Sequence, residues 1–211
     1  MKLNFKKALI LAPHTDDGEF GCGGTIARMI EEGIEVYLAA FSSCEQSVPD
    51  KYPANILIDE LKNATKSLGI PSENLFLFDY KVRVFNESRQ DILQTIIDLR
   101  TKINPDVVFM PSLDDIHQDH LTIAQEGLRA FKFSTILTYE MPWNNLTFST
   151  SSFVILEERH VKKKIEALKE YGSQSHRPYS NEEFIRSLAR TRGVQINSTY
   201  AETFNVLRWI L

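Results

Sequence analysis

Two short stretches concentrate the side chains that can do chemistry. "PHTDDGEFGCGG" places His14, Asp16 and Asp17 within four residues, and "DDIHQDH" places Asp114, Asp115, His117, Asp119 and His120 within seven. Imidazole nitrogen and carboxylate oxygen are the ordinary ligands of a catalytic zinc ion, which takes three protein ligands and keeps one position open. A water activated there needs a base, and a neighbouring carboxylate can serve. Two adjacent aspartates are also costly to bury as anions, and a metal ion would remove that cost. The bland reading of the first stretch is a helix start with an acidic first turn. For the second it is a solvated polar loop with incidental histidines. Three of the five histidines fall in these two stretches, which favours a site.

The elements around them strengthen that reading. "KALILA" is an apolar strand ending just before His14, and "PDVVFMPS" is another ending just before Asp114. Strand-like and helix-like segments alternate. Helices are expected in "CGGTIARMIEEG", "ANILIDELKNATKSLGI", "ESRQDILQTIIDLRTKI", "DHLTIAQEGLRAFKF", "EERHVKKKIEALKEYG" and "NEEFIRSLARTRGV". Further strands are expected in "IEVYLAAFSS", "NLFLFDY", "STILTYEM" and, at the end, "TYAETFNVLRWI". This alternation predicts a single α/β domain over residues 1–211, Rossmann-like, with a mostly parallel sheet and helices on both faces. Parallel strands bring their C-terminal ends to one edge, where open sheets hold ligands. The loops after Ala12 and Pro111 then face each other. His14, Asp17 and His120 form a His, Asp, His set with an open position. His117 stands nearby to bind or protonate a substrate, and Asp119 can orient a histidine from behind.

Composition narrows the class. The chain has 211 residues, 43% of them hydrophobic, and a net charge of −4, so no global basic field invites nucleic acid or an anionic membrane. The N-terminal apolar run is too short for a signal peptide, and no stretch is long enough for a membrane span. A cytoplasmic location is expected. Cys22 and Cys44 form neither a metal-type pair nor a disulfide framework and are expected as free thiols.

"PHTDDGEFGCGG" together with "DIHQDH" resembles the LmbE/PIG-L family of metal-dependent de-N-acetylases, and "YGSQSHRPYS…LARTRGVQINSTYAETF" is similar to that family's ending. The resemblance implies a Rossmann-like fold and removal of an acetyl group from an N-acetylglucosamine-type sugar, a small-molecule substrate on various carriers. It implies zinc, or another divalent ion such as iron(II) or cobalt(II), on His14, Asp17 and His120. It implies Asp16 as general base and His117 facing the developing oxyanion, with a metal-bound water attacking the amide carbonyl and a protonated His117 as stabiliser. A homo-oligomer is compatible with it. Three departures stand out. Thr15 replaces the usual proline, Gly18 stands where a glutamate is common with Glu19 one step on, and Cys44 stands where glycine is usual.

Other residues carry weaker expectations. Arg83, in the apolar "DYKVRVF", is a candidate for a sugar hydroxyl or a carrier phosphate, or else a structural ion pair. Tyr139, Glu140, Trp143 and Asn144 follow a strand in "TYEMPWNN" and either line a sugar pocket or pack in the core. "SQSHRPYS" is a loop, lid or oligomer contact, with His176 as an exposed loop histidine. "RHVKKK" reads as a solvated face. Two competing functions stay in view: hydrolysis of another small N-acyl group such as N-formyl, and a non-hydrolytic Rossmann-like nucleotide-binding module. The second requires a glycine-rich GxGxxG turn, whereas the acidic groups here would repel a pyrophosphate.

Overall fold

β1, Lys7–Ala12, is the strand around which the rest is arranged. Ala8 to Ala12 are fully buried and alternate between two cores. Ala8, Ile10 and Ala12 face one apolar layer, and Leu9 and Leu11 face the other, as the two-residue period of a strand requires. Each such buried leucine or isoleucine contributes about 1.5–3 kcal/mol. In the computed structural model, which describes residues 3–210, the sheet order is β3-β2-β1-β4-β5-β7-β6. The further strands are β2 (Glu35–Ala40), β3 (Leu75–Leu77), β4 (Val107–Pro111), β5 (Thr135–Tyr139), β6 (Ser152–Leu156) and β7 (Tyr200–Arg208). β1 to β5 run parallel, and β7 alone runs against its neighbours β5 and β6. The expected α/β fold with a mostly parallel sheet is present.

Helices cover both faces. α1 (Asp17–Glu31), α2 (Ile56–Leu68), α5 (Glu158–Lys169) and α6 (Glu182–Val194) pack on one core, and α3 (Arg89–Ile103) and α4 (Gln118–Ala130) on the other. The chain moves from β1 outward through β2 to β3, then returns to β4 on the far side of β1. That reversal opens a crevice at the C-terminal ends of β1 and β4, where the two polar stretches leave the sheet. Among the described residues, no helix is long and apolar enough to cross a membrane.

Three elements differ from the sequence reading. α1 begins at Asp17 rather than near Cys22, so two thirds of the first polar stretch is helix. Glycines weaken helical propensity, which hides that start. Here they are required by packing: a Cβ on Gly21 would sit 2.5 Å from the Tyr139 ring, and one on Gly24 2.5 Å from Leu156. β3 is only three residues long, at the sheet edge. β6 is absent from the sequence reading because only two of its five residues are buried and it follows a polar run; its pairing to β7 creates it. A buried ion pair fixes α1 from the β7 side. Glu202 accepts from the backbone N–H groups of Gly24 (3.0 Å) and Thr25 (2.6 Å), and Lys164 Nζ bridges Glu202 (2.7 Å) and the Phe20 carbonyl (2.5 Å).

Replacing a helical glycine by alanine at an open site stabilises a protein, so the close packing of α1 predicts the opposite sign. Gly21→Ala is expected to lower stability by about 1–3 kcal/mol through overpacking against Tyr139, read as a lower denaturant midpoint at unchanged slope.

Candidate active site

The site is built where β1 and β4 end. Asp16 occupies the N-cap position of α1, yet its side chain caps nothing, so the capping role is not what this carboxylate serves. Asp17, in the first turn, folds back to accept the His14 backbone N–H at 2.8 Å. On the other side His117 takes the N-cap position of α4, its Nδ1 accepting from the Asp119 N–H at 3.2 Å. His120, one turn of chain on, points to the same place. His14 Nδ1 lies 3.1 Å from Asp17 Oδ2, His120 Nε2 lies 3.2 Å from that oxygen, and the two nitrogens are 3.2 Å apart.

This triangle fits a metal ion. Ligand bonds of about 2.0–2.1 Å in tetrahedral geometry put neighbouring ligand atoms about 3.3 Å apart. The remaining ring nitrogens are already engaged: His14 Nε2 with Asp119 Oδ2 at 3.1 Å, and His120 Nδ1 with Asp115 Oδ2 at 2.8 Å. A carboxylate can only accept, so both of these nitrogens carry protons. When both rings are neutral, the lone pairs of His14 Nδ1 and His120 Nε2 meet Asp17 Oδ2, three acceptors that one metal ion could bind together; without it, a protonated His120 donates its Nε2–H to Asp17. His117 also lies close, and His14, His117 and His120 offer ligand atoms within 4.8 Å of one another. The Asp17 triangle is the tighter of the two sets.

The titration behaviour follows from this crowding. Burial alone would lower His120, but Asp17 and Asp115 outweigh it and raise it to about 10. Burial would raise Asp17, but the two histidines hold it well below the carboxylate range. Burial, then the neighbouring Asp17, lifts Asp16 to about 6. His117 moves the other way: burial and the charges of His14 and His120 lower it to about 4. It is therefore a neutral imidazole at pH 7, not the protonated group expected from the sequence. With Nδ1 accepting from Asp119, its Nε2 carries the hydrogen. Glu19 is fully buried beneath the site and pushed up to about 8 by that burial, so it is a neutral carboxyl at pH 7.

A cavity of about 420 Å³ opens above these residues, within the range that holds small ligands. Arg83, Trp143 and Asn144 line it. Tyr139 and Glu140 do not. Tyr139 is fully buried, its phenol donating to the Leu11 carbonyl at 3.0 Å, and Glu140 is paired with Arg192. These two are structural groups at a strand end, because the inward face of β5 and the α6 side consume them. Arg177 and Tyr179 belong to the "SQSHRPYS" stretch, read from sequence as a loop, lid or oligomer contact and not as substrate-binding residues. They reach the cavity from the connection between α5 and α6, and Tyr179 stacks on Trp143 at 3.9 Å and 5°. The tertiary fold brings this loop, about sixty residues past the second histidine cluster, back to the site. Cys44 also lines the cavity, with φ of +57°, which explains why glycine is usual there. Burial pushes its thiol up to about 12, so it is not a nucleophile at neutral pH.

Comparison with known proteins agrees with this geometry. The profile of the PIG-L family, described as GlcNAc-PI de-N-acetylase, matches residues 9–131, more than half of the chain and both histidine stretches. The chain belongs to the PIG-L family. Among curated relatives, the uncharacterized deacetylase YaiS of Escherichia coli is 29% identical over 177 residues, covering 80% of this chain and 91% of that protein. The diacetylchitobiose deacetylase of Thermococcus kodakarensis is 29% identical over 138 residues, covering 61% of this chain and 50% of its own length. Among solved structures, the conserved protein TT1542 of Thermus thermophilus superposes with a TM-score of 0.79 at 26% identity, over 97% of this chain and 95% of that one. As a PIG-L-family member the protein is an enzyme of the hydrolytic deacetylase class. Its crevice between β1 and β4 is the place in this PIG-L chain where ligand-type side chains, a free carboxylate and a sugar-sized cavity coincide.

Two outcomes follow from the geometry. A divalent ion taken up by His14, Asp17 and His120 at pH 7 would displace the proton that His120 holds, because its pKa of about 10 lies above 7 and a ligating imidazole must be neutral. Calorimetric titration in buffers of different ionisation enthalpy is expected to show at least one proton released per metal; a slope of zero would contradict the ligand assignment. Asp115→Asn, which weakens the partner of the His120 Nδ1–H, is expected to lower metal affinity about 10–100-fold.

Proposed function

We propose that this protein is a zinc-dependent deacetylase that removes the N-acetyl group from an N-acetylglucosamine-type amino sugar or sugar conjugate. The observation that carries the reading is the convergence of three potential ligand atoms from His14, Asp17 and His120 beside Asp16, a carboxylate that neither caps its helix nor belongs to the triangle. The glucosamine-type substrate is supported by family membership and by the relative named for diacetylchitobiose. The stacked Trp143 and Tyr179 give the cavity an aromatic wall of the kind that suits a sugar ring.

In this reading His14, Asp17 and His120 hold the ion, with Asp115 and Asp119 fixing which nitrogen of each ring faces it. A divalent metal bound there supplies Lewis acidity, polarising a carbonyl and lowering the pKa of water towards about 7. Asp16, lifted to about 6, is still a carboxylate at neutral pH and is basic enough to take the proton of the attacking water. The water oxygen bonds to the acetyl carbon and negative charge develops on the carbonyl oxygen. His117 donates its Nε2–H to that oxygen as a neutral imidazole, so it keeps its proton throughout. The proton on Asp16 is then delivered to the nitrogen as the C–N bond breaks, giving the free amine and acetic acid, whose second water-derived proton leaves to the amine or to solvent to give acetate. One residue thus serves as base and acid in turn. A nucleotide-binding module without hydrolysis fits poorly, because the first turn offers acidic groups where a pyrophosphate would need backbone N–H groups and glycine.

The test is amine release from a panel of N-acetyl and N-formyl glucosaminides. Wild-type activity is expected to vanish with a chelator and return with zinc. Asp16→Ala is expected to keep its metal and lose about 10²–10⁴-fold in turnover. An Asp16→Ala protein that binds no metal would mean that Asp16 and Asp17 have exchanged roles. One that stays fully active would remove Asp16 as the base.

A further inference from the structure

Asp16 is tethered differently from the residues around it. His14 and His120 are held through their outer ring nitrogens, and Asp17 through the His14 N–H. The Asp16 carboxylate has no such partner. It caps nothing, no other described residue hydrogen-bonds it, and Arg177 acts on it through charge alone. With one methylene between Cα and the carboxylate, the backbone and a single staggered torsion set where that group stands. Whatever fixes the backbone at Asp16 therefore fixes the base.

That backbone is held on both sides of the Asp16 Cα. After it, the Asp16 carbonyl accepts the Phe20 N–H at 3.0 Å, the first bond of α1. Before it, the Thr15 carbonyl accepts the Tyr171 phenol at 2.6 Å. Thr15 is 1% and Tyr171 3% exposed, so water does not compete for this bond. With both carbonyls held, Asp16 stands at φ −103° and ψ −9°. Thr15 occupies the position where proline is usual, so no pyrrolidine ring stiffens the chain here, and the phenol supplies the restraint. Tyr171 is itself fixed. Its N–H donates to the Leu168 carbonyl at 3.2 Å, and its own carbonyl accepts the Gln174 N–H at 3.0 Å. Two residues on, Ser173 gives its N–H and its hydroxyl to Glu60 of α2, at 2.8 and 2.6 Å. The phenol oxygen also lies 3.2 Å from Glu19 Oε1, which closes the space around it.

We propose that Tyr171 is a positioning residue for the hydrolysis: by holding the Thr15 carbonyl, its phenol fixes the peptide between His14 and Asp16 and keeps the Asp16 carboxylate aimed at the attacking water. This rests on the deacetylase reading and adds what orients its base. Tyr171 does not line the cavity, so it acts through Asp16 and touches no substrate. Removing the phenol oxygen leaves the ring packed and releases the Thr15 carbonyl. A base displaced by about 1 Å loses about 100-fold in rate.

The experiment is a double-mutant cycle on the zinc-loaded enzyme with Tyr171→Phe, Asp16→Ala and both together, using the N-acetylglucosaminide that the wild type cleaves fastest. Tyr171→Phe is expected to lower kcat about 10–100-fold, with KM and zinc affinity within about two-fold of the wild type. In the Asp16→Ala background the same change is expected to lower the residual turnover by less than about two-fold. A role confined to stability would lower the melting temperature and leave kcat of the folded enzyme unchanged, which overturns the proposal. An equal loss in both backgrounds, or a loss traced to missing zinc, overturns it too. Should Tyr171→Phe not fold, Ser173→Ala takes its place in the cycle, because it removes one of the two bonds that anchor the segment to Glu60. A kcat loss that vanishes without Asp16 then supports the proposal, and an unchanged kcat or an equal loss in both backgrounds overturns it. If the wild type releases no amine from any glucosaminide, the deacetylase reading fails first. Crystal structures of the zinc-loaded wild type and variant then decide the positioning claim separately. An Asp16 carboxylate displaced by about 1 Å or more, with His14, Asp17 and His120 in place, supports it, and an unmoved Asp16 overturns it.

Discussion

Three potential ligand atoms from two distant parts of the chain are held within 3.2 Å of one another, close enough for one metal ion to bind all three. Much of the structure serves to hold these atoms there. Asp17 is turned inward by the His14 N–H, and the outer nitrogens of His14 and His120 are tied to Asp119 and Asp115. Those carboxylates are buried, with Asp119 held by the backbone N–H groups of Arg83 and Phe85. Removing any of these restraints lets the imidazoles rotate.

The sheet supplies the distances. β1 and β4 are neighbours and parallel, so the chain leaves both at one edge and two loops about a hundred residues apart in sequence meet. The crevice between them exists because β2 and β3 extend one way and β4 and β5 the other. α1 must lie close on the sheet to carry Asp16 and Asp17 to this crevice. Its glycines permit that approach, and the Lys164–Glu202 pair pins the helix at Phe20, Gly24 and Thr25. A helix start poor in intrinsic propensity is thus stabilised by packing on both sides, with active-site geometry as the result.

The parts legible in the sequence were those carried by local pattern. Alternating apolar strands and amphipathic helices gave the α/β class, and the histidines at two strand ends gave His14, Asp17 and His120 as neighbours. What stayed hidden depended on tertiary contact. The first helix was expected to start near Cys22 rather than at Asp17, because propensity carries no information about Tyr139 packing on Gly21. β6 looked like irregular chain because its pairing partner β7 comes more than forty residues later. Tyr139 and Glu140 looked like pocket residues because their types suit a sugar, yet the Leu11 carbonyl and Arg192 had already claimed them. The stretch that holds Arg177 and Tyr179 read as a loop, lid or oligomer contact, and only the tertiary fold places those two side chains at the cavity. The protonation of His117 could not be read from sequence either, since it follows from burial beside two other imidazoles.

The account stands or falls on where the cation sits and which atoms touch it. Anomalous diffraction at the zinc edge from crystals of the zinc-loaded protein measures this directly. The account predicts one ion bonded to His14 Nδ1, Asp17 and His120 Nε2 at about 2.0–2.2 Å, with His117 outside the bonding distance. An ion held by His117 in place of Asp17, or one bound outside the crevice between β1 and β4, would contradict it.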